Sequence, residues 1–383
     1  MVKRAVCLML LVLLLAGCSA NSNTTSLLEV EYQTVPVNGI IEKVERSKNL
    51  YEYMSKPSSP IGVVNDHIYY DQLSDMGKMD IFDLANFSSD EPMLNTLFST
   101  EDYSIWLGSE IINNAIYLPA IKDGSAFALD IIKVGLDGSS DIIYSVPSSI
   151  GLPTVYFVGE HIIISTTHNN KTRIVDYNSS SLESTIVKET SYFKASDGKR
   201  TGEFILYGGS LEPSGFYYEL IELDNEDLEA AGQSNIFFYS FDDHSESLVL
   251  QPDEKSLFVT GDDEFILISE YELENPARVS GKLYHFSDKL IEVSEIPEIS
   301  PGYDLFGAKK IKNYIVAFNQ KDIFFIDTSA QRYSIYSYRN DTNYNVYDDD
   351  NPRHISSAIL SDDIIYYFEF SNTSTQLVTI YLA

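Results

Sequence analysis

The sequence predicts an all-β fold in which one small sheet is repeated around a ring. Three observations predict it. Strand-like runs of Ile, Val, Tyr and Phe alternate with clusters of Asp, Asn, Gly and Ser, long helical periodicity is hard to find, and one pattern recurs at near-constant spacing. The pattern is a short turn followed by an apolar run: Asp66-His67-Ile68, Asn114-Ala115-Ile116, Glu160-His161-Ile162, Ser214-Gly215-Phe216, Asp263-Glu264-Phe265, Asn313-Tyr314-Ile315 and Asp362-Asp363-Ile364. Successive anchors at 68, 116, 162, 216, 265, 315 and 364 are separated by 48, 46, 54, 49, 50 and 49 residues. A strand-filled period of this length signals a radial array of sheets. The expectation is a seven-bladed β-propeller of four-stranded antiparallel blades, closed by an N-terminal strand.

Each period divides into four short strands. Around the second anchor these are Tyr103 to Leu107, Ala115 to Ala120, Phe127 to Val134 and Asp141 to Val146. Around the sixth they are Tyr303 to Ala308, Tyr314 to Asn319, Asp322 to Asp327 and Tyr333 to Tyr338. Breakers such as Lys122-Asp123-Gly124-Ser125 and Leu136-Asp137-Gly138-Ser139 separate them. The 27 tyrosines and 20 phenylalanines are read as core and cross-strand packing, not as a binding stripe. The chain ends at Ala383, directly after the third strand of the seventh period, Thr375 to Tyr381. That blade lacks its own outer strand, and an open edge needs protection. Leu28 to Tyr32 and Ile40 to Val44 are spare strand-like runs before the first period; Ile40 to Val44 lies nearer and is the expected closing strand.

The amino terminus carries a second signal. Met1 to Arg4 holds two positive charges, Ala5 to Ala16 is uncharged, and the run is too short for a spanning helix of about 20 residues. Leu15-Ala16-Gly17-Cys18 resembles the lipobox of bacterial lipoproteins. The resemblance implies cleavage of a signal peptide at residues 1–17 and acylation of Cys18, with palmitate-type chains anchoring the protein to a lipid bilayer. Residues 18–26 then form a small, polar tether, and 27–383 the propeller domain. The implied location is the extracytoplasmic face of a cell membrane. The serine- and asparagine-rich tether favours a Gram-positive cell, while Ser19 also permits a Gram-negative outer membrane.

Charge and cysteine content narrow the partners. Cys7 leaves with the signal and Cys18 is acylated, so no thiol remains to pair and stability rests on packing. The formal net charge is -31. Such a body repels phosphate backbones and anionic headgroups, so nucleic acid is not expected as a partner and direct membrane docking is disfavoured. The acid is either a solubilising coat or a surface for cations and basic partners, and an envelope protein or a glycan is the further partner considered.

Ile68-Tyr69-Tyr70-Asp71 with Ile81-Phe82-Asp83-Leu84, and Ile132-Lys133-Val134-Gly135-Leu136-Asp137-Gly138-Ser139, resemble repeats of the YWTD and TolB-like bacterial propellers. The likeness covers the repeat region and implies the architecture; the Trp-Thr-Asp core of the YWTD motif is absent. Such propellers are mostly binding and scaffolding modules, and some relatives are enzymes.

Motifs for chemistry are sparse. Of six histidines, His67 and His161 share one repeat position at a turn, His244 and His285 fall in different blades, and only His168 and His354 are expected near one face. There is no Gly-x-Ser-x-Gly elbow, no phosphate-binding glycine loop and no sialidase Asp-box. No catalytic residue is assigned. Two acidic segments are the candidate binding site: Glu222 to Glu229, holding Asp224, Glu226 and Asp227, and the stretch with Asp341, Tyr344, Tyr347, Asp348, Asp349 and Asp350. Asp341, Asn343 and Asn345 have the spacing of a calcium loop, but Val346 and Pro352 replace its glycine and glutamate, leaving either a looser Ca2+ site or a solvated acidic loop. In a propeller both segments fall on one face, where loops on a rigid scaffold bind ligands. The function expected is a non-catalytic, membrane-anchored binding or scaffold propeller, without a cofactor unless Ca2+ is one. The alternatives are a carbohydrate-active or other hydrolytic propeller and a subunit of an envelope assembly complex.

Overall fold

A computed structural model describes residues 39–54, 58–73, 79–89, 91–191, 199–207, 214–224, 234–251, 256–261, 265–272, 275–286, 290–296, 307–311, 314–318, 323–327, 335–338, 354–355, 359–361, 363–370 and 373–383. Every regular element among them is a strand. β1 (Ile41–Arg46) comes first. Sheet 1 follows as β2 (Ser58–Val64), β3 (His67–Leu73), β4 (Met79–Ala85) and β5 (Met93–Thr100). Sheet 2 holds β6 (Tyr103–Trp106), β7 (Glu110–Ile112), β8 (Ala115–Lys122), β9 (Leu129–Gly135) and β10 (Ser140–Val146). Sheet 3 is β11 (Thr154–Val158), β12 (His161–His168), β13 (Lys171–Asn178) and β14 (Glu183–Ser191). Sheet 4 is β15 (Lys199–Tyr207), β16 (Gly215–Asp224), β17 (Ser234–Ser240) and β18 (Glu246–Leu250). Sheet 5 is β19 (Ser256–Gly261), β20 (Phe265–Glu272), β21 (Asn275–Phe286) and β22 (Leu290–Ile296). Sheet 6 is β23 (Gly307–Ile311), β24 (Tyr314–Phe318), β25 (Ile323–Asp327) and β26 (Ile335–Tyr338). The last sheet holds β27 (His354–Ile355), β28 (Ile359–Ser361), β29 (Ile364–Phe370) and β30 (Thr375–Leu382), with β1 added at its outer edge.

Neighbouring strands are antiparallel and meander outward in chain order. Each sheet therefore has two ends. First-to-second and third-to-fourth turns lie at the lower end; second-to-third turns and the links between sheets lie at the upper end. Asn-Asn turns at both ends show why these loops are tight. Asn113 (φ 51°) and Asn114 (φ 59°) join β7 to β8, and Asn169 (φ 49°) and Asn170 (φ 61°) join β12 to β13. Two left-handed residues in a row make the turn whose twist matches paired strands, and asparagine tolerates that backbone.

Among the described residues, the second strands of sheets 1 to 4 and of the last sheet are buried on both faces over three or more consecutive residues. β8 is buried over seven consecutive residues, because one face packs on sheet 1 and the other on sheet 3. This explains the apolar runs, since alternation appears only where one face meets water. Ile61, Tyr69 and Ile81 meet Ile116, Leu118, Ile132 and Val134 between sheets 1 and 2. Tyr117, Ile131, Ile162, Ile164 and Tyr177 join sheets 2 and 3. Ile163 and Ile174 meet Phe216, Tyr218 and Tyr239 between sheets 3 and 4. Inner strands β15, β19 and β23 adjoin in turn. Val316, Ile323 and Phe325 pack on Ile365, Tyr367 and Val378. Finally Leu50, Met54, Ile68, Tyr70 and Leu84 meet Phe368 and Leu377, so the last sheet packs against the first.

The strand expected at Ile40 to Val44 is found as β1, paired antiparallel with β30 from Ile41↔Leu382 to Arg46↔Val378. Two expectations need correction. The first strand of sheet 2 is not one strand from Tyr103 to Leu107 but two pieces, β6 and β7, both bonded to β8, because Gly108 (φ 96°) turns the chain between them. In sheet 6 the first strand runs on to Ile311, past the expected end at Ala308, through a Lys309-Lys310-Ile311 register opposite Val316, Ile315 and Tyr314. Its expected start at Tyr303 lies outside the described residues.

Candidate functional site

The two acidic segments attach to the same end of their sheets. Asp224 closes β16 opposite Lys199, the first residue of β15. Residues 225–233 run from there to β17, and 339–353 run from β26 to β27, so each leaves and returns at an upper strand end. Glu226, Asp227, Asp341, Tyr344, Tyr347, Asp348, Asp349 and Asp350 lie outside the described residues, as does Cys18. His168 ends β12 and His354 begins β27, both upper-end positions, as expected from the sequence.

What the structure does describe at the upper end of sheet 2 is a buried carboxylate that sequence reasoning missed. Asp130, 5% exposed on β9, accepts from Tyr103 Oη on β6 at 2.8 Å and from Ser145 Oγ on β10 at 2.6 Å. Lys122 Nζ on β8 lies 3.4 Å from its Oδ2. Register dictates the row: Tyr103 faces Lys122 on β8, Ala120 faces Asp130, and Asp130 faces Ser145. Burial pushes the Asp130 carboxyl up, but the Ser145 and Tyr103 hydroxyls and the Lys122 ammonium outweigh it, so it sits below its ordinary 3.8. Burial, with Asp130 alongside, pushes the Tyr103 phenol up. Both oxygens of Asp130 are engaged and the group stays charged. That suits a clamp across four strands better than a general base. The one signal available in the sequence was an acid inside the apolar run Phe127 to Val134.

This clamp makes a pH prediction. A carboxyl whose folded pKa is depressed lends stability above its unfolded value, and loses it as pH falls through the folded one. Urea midpoints of the wild-type chain and Asp130→Asn should therefore differ near neutral pH and converge on the acid side of 3.8. Removing one partner of such a buried network typically costs about 1–3 kcal/mol. Equal midpoints near neutral pH would remove the clamp role.

At the lower end, two histidines at the same repeat position have the same partner. His67 Nδ1 lies 2.8 Å from Asp83 Oδ1, and His161 Nδ1 lies 2.8 Å from Asp176 Oδ1. Both aspartates are buried, and His161 also stacks on Phe241 of sheet 4 with ring centroids 3.7 Å apart. These pairs knit strands and neighbouring sheets together. His168 Nδ1 lies 2.8 Å from Ser148 Oγ at the upper end of sheet 3. Among the described residues no three His, Cys, Asp or Glu side chains converge as a metal site, and no helix is long and apolar enough to cross a membrane.

No protein-family model matches the chain, and no curated protein sequence matches it either. Solved structures do. The propeller domain of the Trilobed protease from Pyrococcus furiosus aligns with a TM-score of 0.51 at 12% identity, covering 85% of this chain and 93% of that one. The chain has a β-propeller fold. An oligogalacturonate lyase from Vibrio parahaemolyticus is also similar, with a TM-score of 0.49 at 12% identity over 88% of this chain and 96% of that one. An oligogalacturonate lyase in complex with manganese has a TM-score of 0.49 at 12% identity, covering 89% and 91%. At such identities the propeller likeness extends to the fold alone.

Proposed function

We propose that this chain is a lipid-anchored, extracytoplasmic propeller of seven blades, closed by β1, that binds a partner at its upper face without catalysing a reaction. The observation that carries the anchor is Leu15-Ala16-Gly17-Cys18 at the end of a short uncharged run. Each buried methylene contributes about 0.8 kcal/mol, so two or more acyl chains on Cys18 hold the protein at the bilayer far longer than one.

Closure is supported by three features. β1 lies beside β30 in the place of a fourth strand. Its register shifts once, between Ile41 and Lys43, as third-to-fourth pairs do in sheets 1 to 5. Residues 47–54 then continue along β30: Ser47 N donates to Leu377 O at 2.9 Å, Thr375 N to Asn49 Oδ1 at 3.0 Å and Thr375 Oγ1 to Met54 O at 2.8 Å.

Outer strands run from the lower to the upper end, so the chain enters β1 from below. The 23 residues from Cys18 to Ile40 reach at most about 80 Å when extended. In this reading the lower end faces the bilayer and the acidic upper loops face away from it, offering carboxylates to a divalent cation such as Ca2+ or to a basic partner.

The anchor is tested by fractionating cells that express the wild-type chain and Cys18→Ala. The wild type should require detergent for extraction and carry acyl mass at Cys18, and the variant should be unprocessed or released. An unmodified Cys18 in membrane-extracted protein contradicts the proposal.

A further inference from the structure

We propose that the free edge of β5 is a docking site for an extended polypeptide segment of another molecule, uncharged in its middle and basic at its ends. The edge strand that a β-sheet leaves to solvent displays unpaired backbone groups, and proteins normally block it with charges, proline or cover. The other long outer strands follow that rule. β14 carries Glu183, Lys188 and Glu189, with Glu189 paired to Lys171 and Arg173 and Lys188 to Glu246 of β18 at 2.6 Å. β22 carries Glu292 and Glu295, β10 carries Asp141, and β1 carries Glu42, Lys43, Glu45 and Arg46. β26 is uncharged but spans only four residues.

β5 is the exception. It is the last strand of sheet 1, runs for eight residues, and contains no charge. Leu97 and Phe98 pack inward toward sheet 2, whereas Met93 and Leu94 are 55% and 40% exposed and Asn95 and Thr96 are exposed beside them. Large apolar side chains are thus presented along residues 93–96 of the edge, while at Leu97 the β9–β10 turn comes close: a Cβ on Gly138 would fall 3.4 Å from the Leu97 carbonyl oxygen. Strand addition uses such an exposed stretch, main-chain bonds supplying affinity and alternate side chains selectivity.

Charge selects the occupant. Glu91 lies just before the strand, and Glu101 and Asp102 lie just after it, all exposed. A guest with an uncharged centre and Lys or Arg at both ends meets carboxylates at each end of β5. A second copy of the chain brings the same acids and a net charge of -31, so self-pairing is opposed. The proposed site is separate from the upper-face loops and stands whether or not those bind anything.

The test uses the full chain and two fluorescent peptides with identical Lys-Lys ends. One has an alternating Val-Thr-Ile-Thr-Val centre, and the other replaces each Thr by Pro so that it cannot add as a strand. The first peptide should bind saturably at one per chain and the second should not. Leu94→Lys with Thr96→Lys, at exposed positions, should weaken binding by about tenfold or more, since charge is how natural edges are blocked. Ile142→Lys, on the neighbouring outer strand at a 56% exposed position, should leave binding within about twofold. Equal binding of both peptides, or no effect of the β5 substitutions, reduces the effect to attraction by an acidic surface and overturns the proposal. Absence of saturable binding overturns it as well. So does a chain that sediments as a dimer and becomes monomeric in the β5 variant, which would assign the edge to a second copy.

Discussion

Deleting the chain through Arg46 is expected to destabilise the whole propeller, not to trim an end. β1 covers the outer edge of β30, and with Ile40 it packs on Val378, Ile380 and Leu382, which are nearly inaccessible. Ile40 is buried, while Ile41 and Val44 are half-buried against the same cluster. Burying one such aliphatic side chain contributes about 1.5–3 kcal/mol, so losing these together costs roughly 3–6 kcal/mol. That is a large share of the ~5–15 kcal/mol by which domains are stable. Calorimetry should show the truncated chain melting several degrees lower in one cooperative transition. A melting temperature equal to that of the intact chain would show that β1 is an ornament on a ring already complete.

Tyr70→Ala is expected to have a comparable effect from the opposite face of the last sheet. Tyr70 is fully buried on β3. Its ring stacks on Phe82 at 5.3 Å and meets Phe368 of the last sheet edge-on at 6.2 Å. Leu50 and Met54, from the segment that follows β1, complete the cluster. Truncating a buried aromatic to alanine leaves a cavity and costs about 3–5 kcal/mol. Because the residues lost lie in separate clusters, Ile40, Ile41 and Val44 on one face of the last sheet and Tyr70 on the other, the truncation combined with Tyr70→Ala should cost close to the sum of the separate losses. Urea denaturation of the three variants measures this, and a combined cost well below the sum would show that removing β1 already loosens the Tyr70 cluster.

The repeat was legible because of how the middle of each sheet is buried. All seven anchors fall on the first or second residue of a second strand: Ile68 in β3, Ile116 in β8, Ile162 in β12, Phe216 in β16, Phe265 in β20, Ile315 in β24 and Ile364 in β29. A strand with neighbours on both faces admits little but apolar side chains, so its start shows in the sequence each time. Gly215 adds a steric signal. A Cβ there would lie 2.0 Å from the carbonyl oxygen of Tyr239, so only glycine fits before Phe216.

The Asp130 clamp was not legible, because its four members come from four strands and meet only once register is known. His67 and His161 were read only as a shared repeat position at a turn, and the aspartates 16 and 15 residues later that hold them lie on the next strand. The break at Gly108 was hidden for another reason. β6 and β7 are both compatible with a strand, and only the shared pairing with β8 separates them. Of the acidic loops, only the strand ends that carry them were accessible to reasoning, since Asp224 alone falls at the end of a described strand.

The proposed closure of the ring is tested most directly by amide hydrogen exchange along β1. If the N-terminal strand is an integral fourth strand, the amides from Lys43 to Arg46 that face Val378 to Tyr381 exchange only through global unfolding, with the same protection as those of β30 itself. If they exchange far faster than β30, at the rate of a frayed terminus, β1 is a detachable tail and the account of a propeller closed by its own N-terminal strand is wrong.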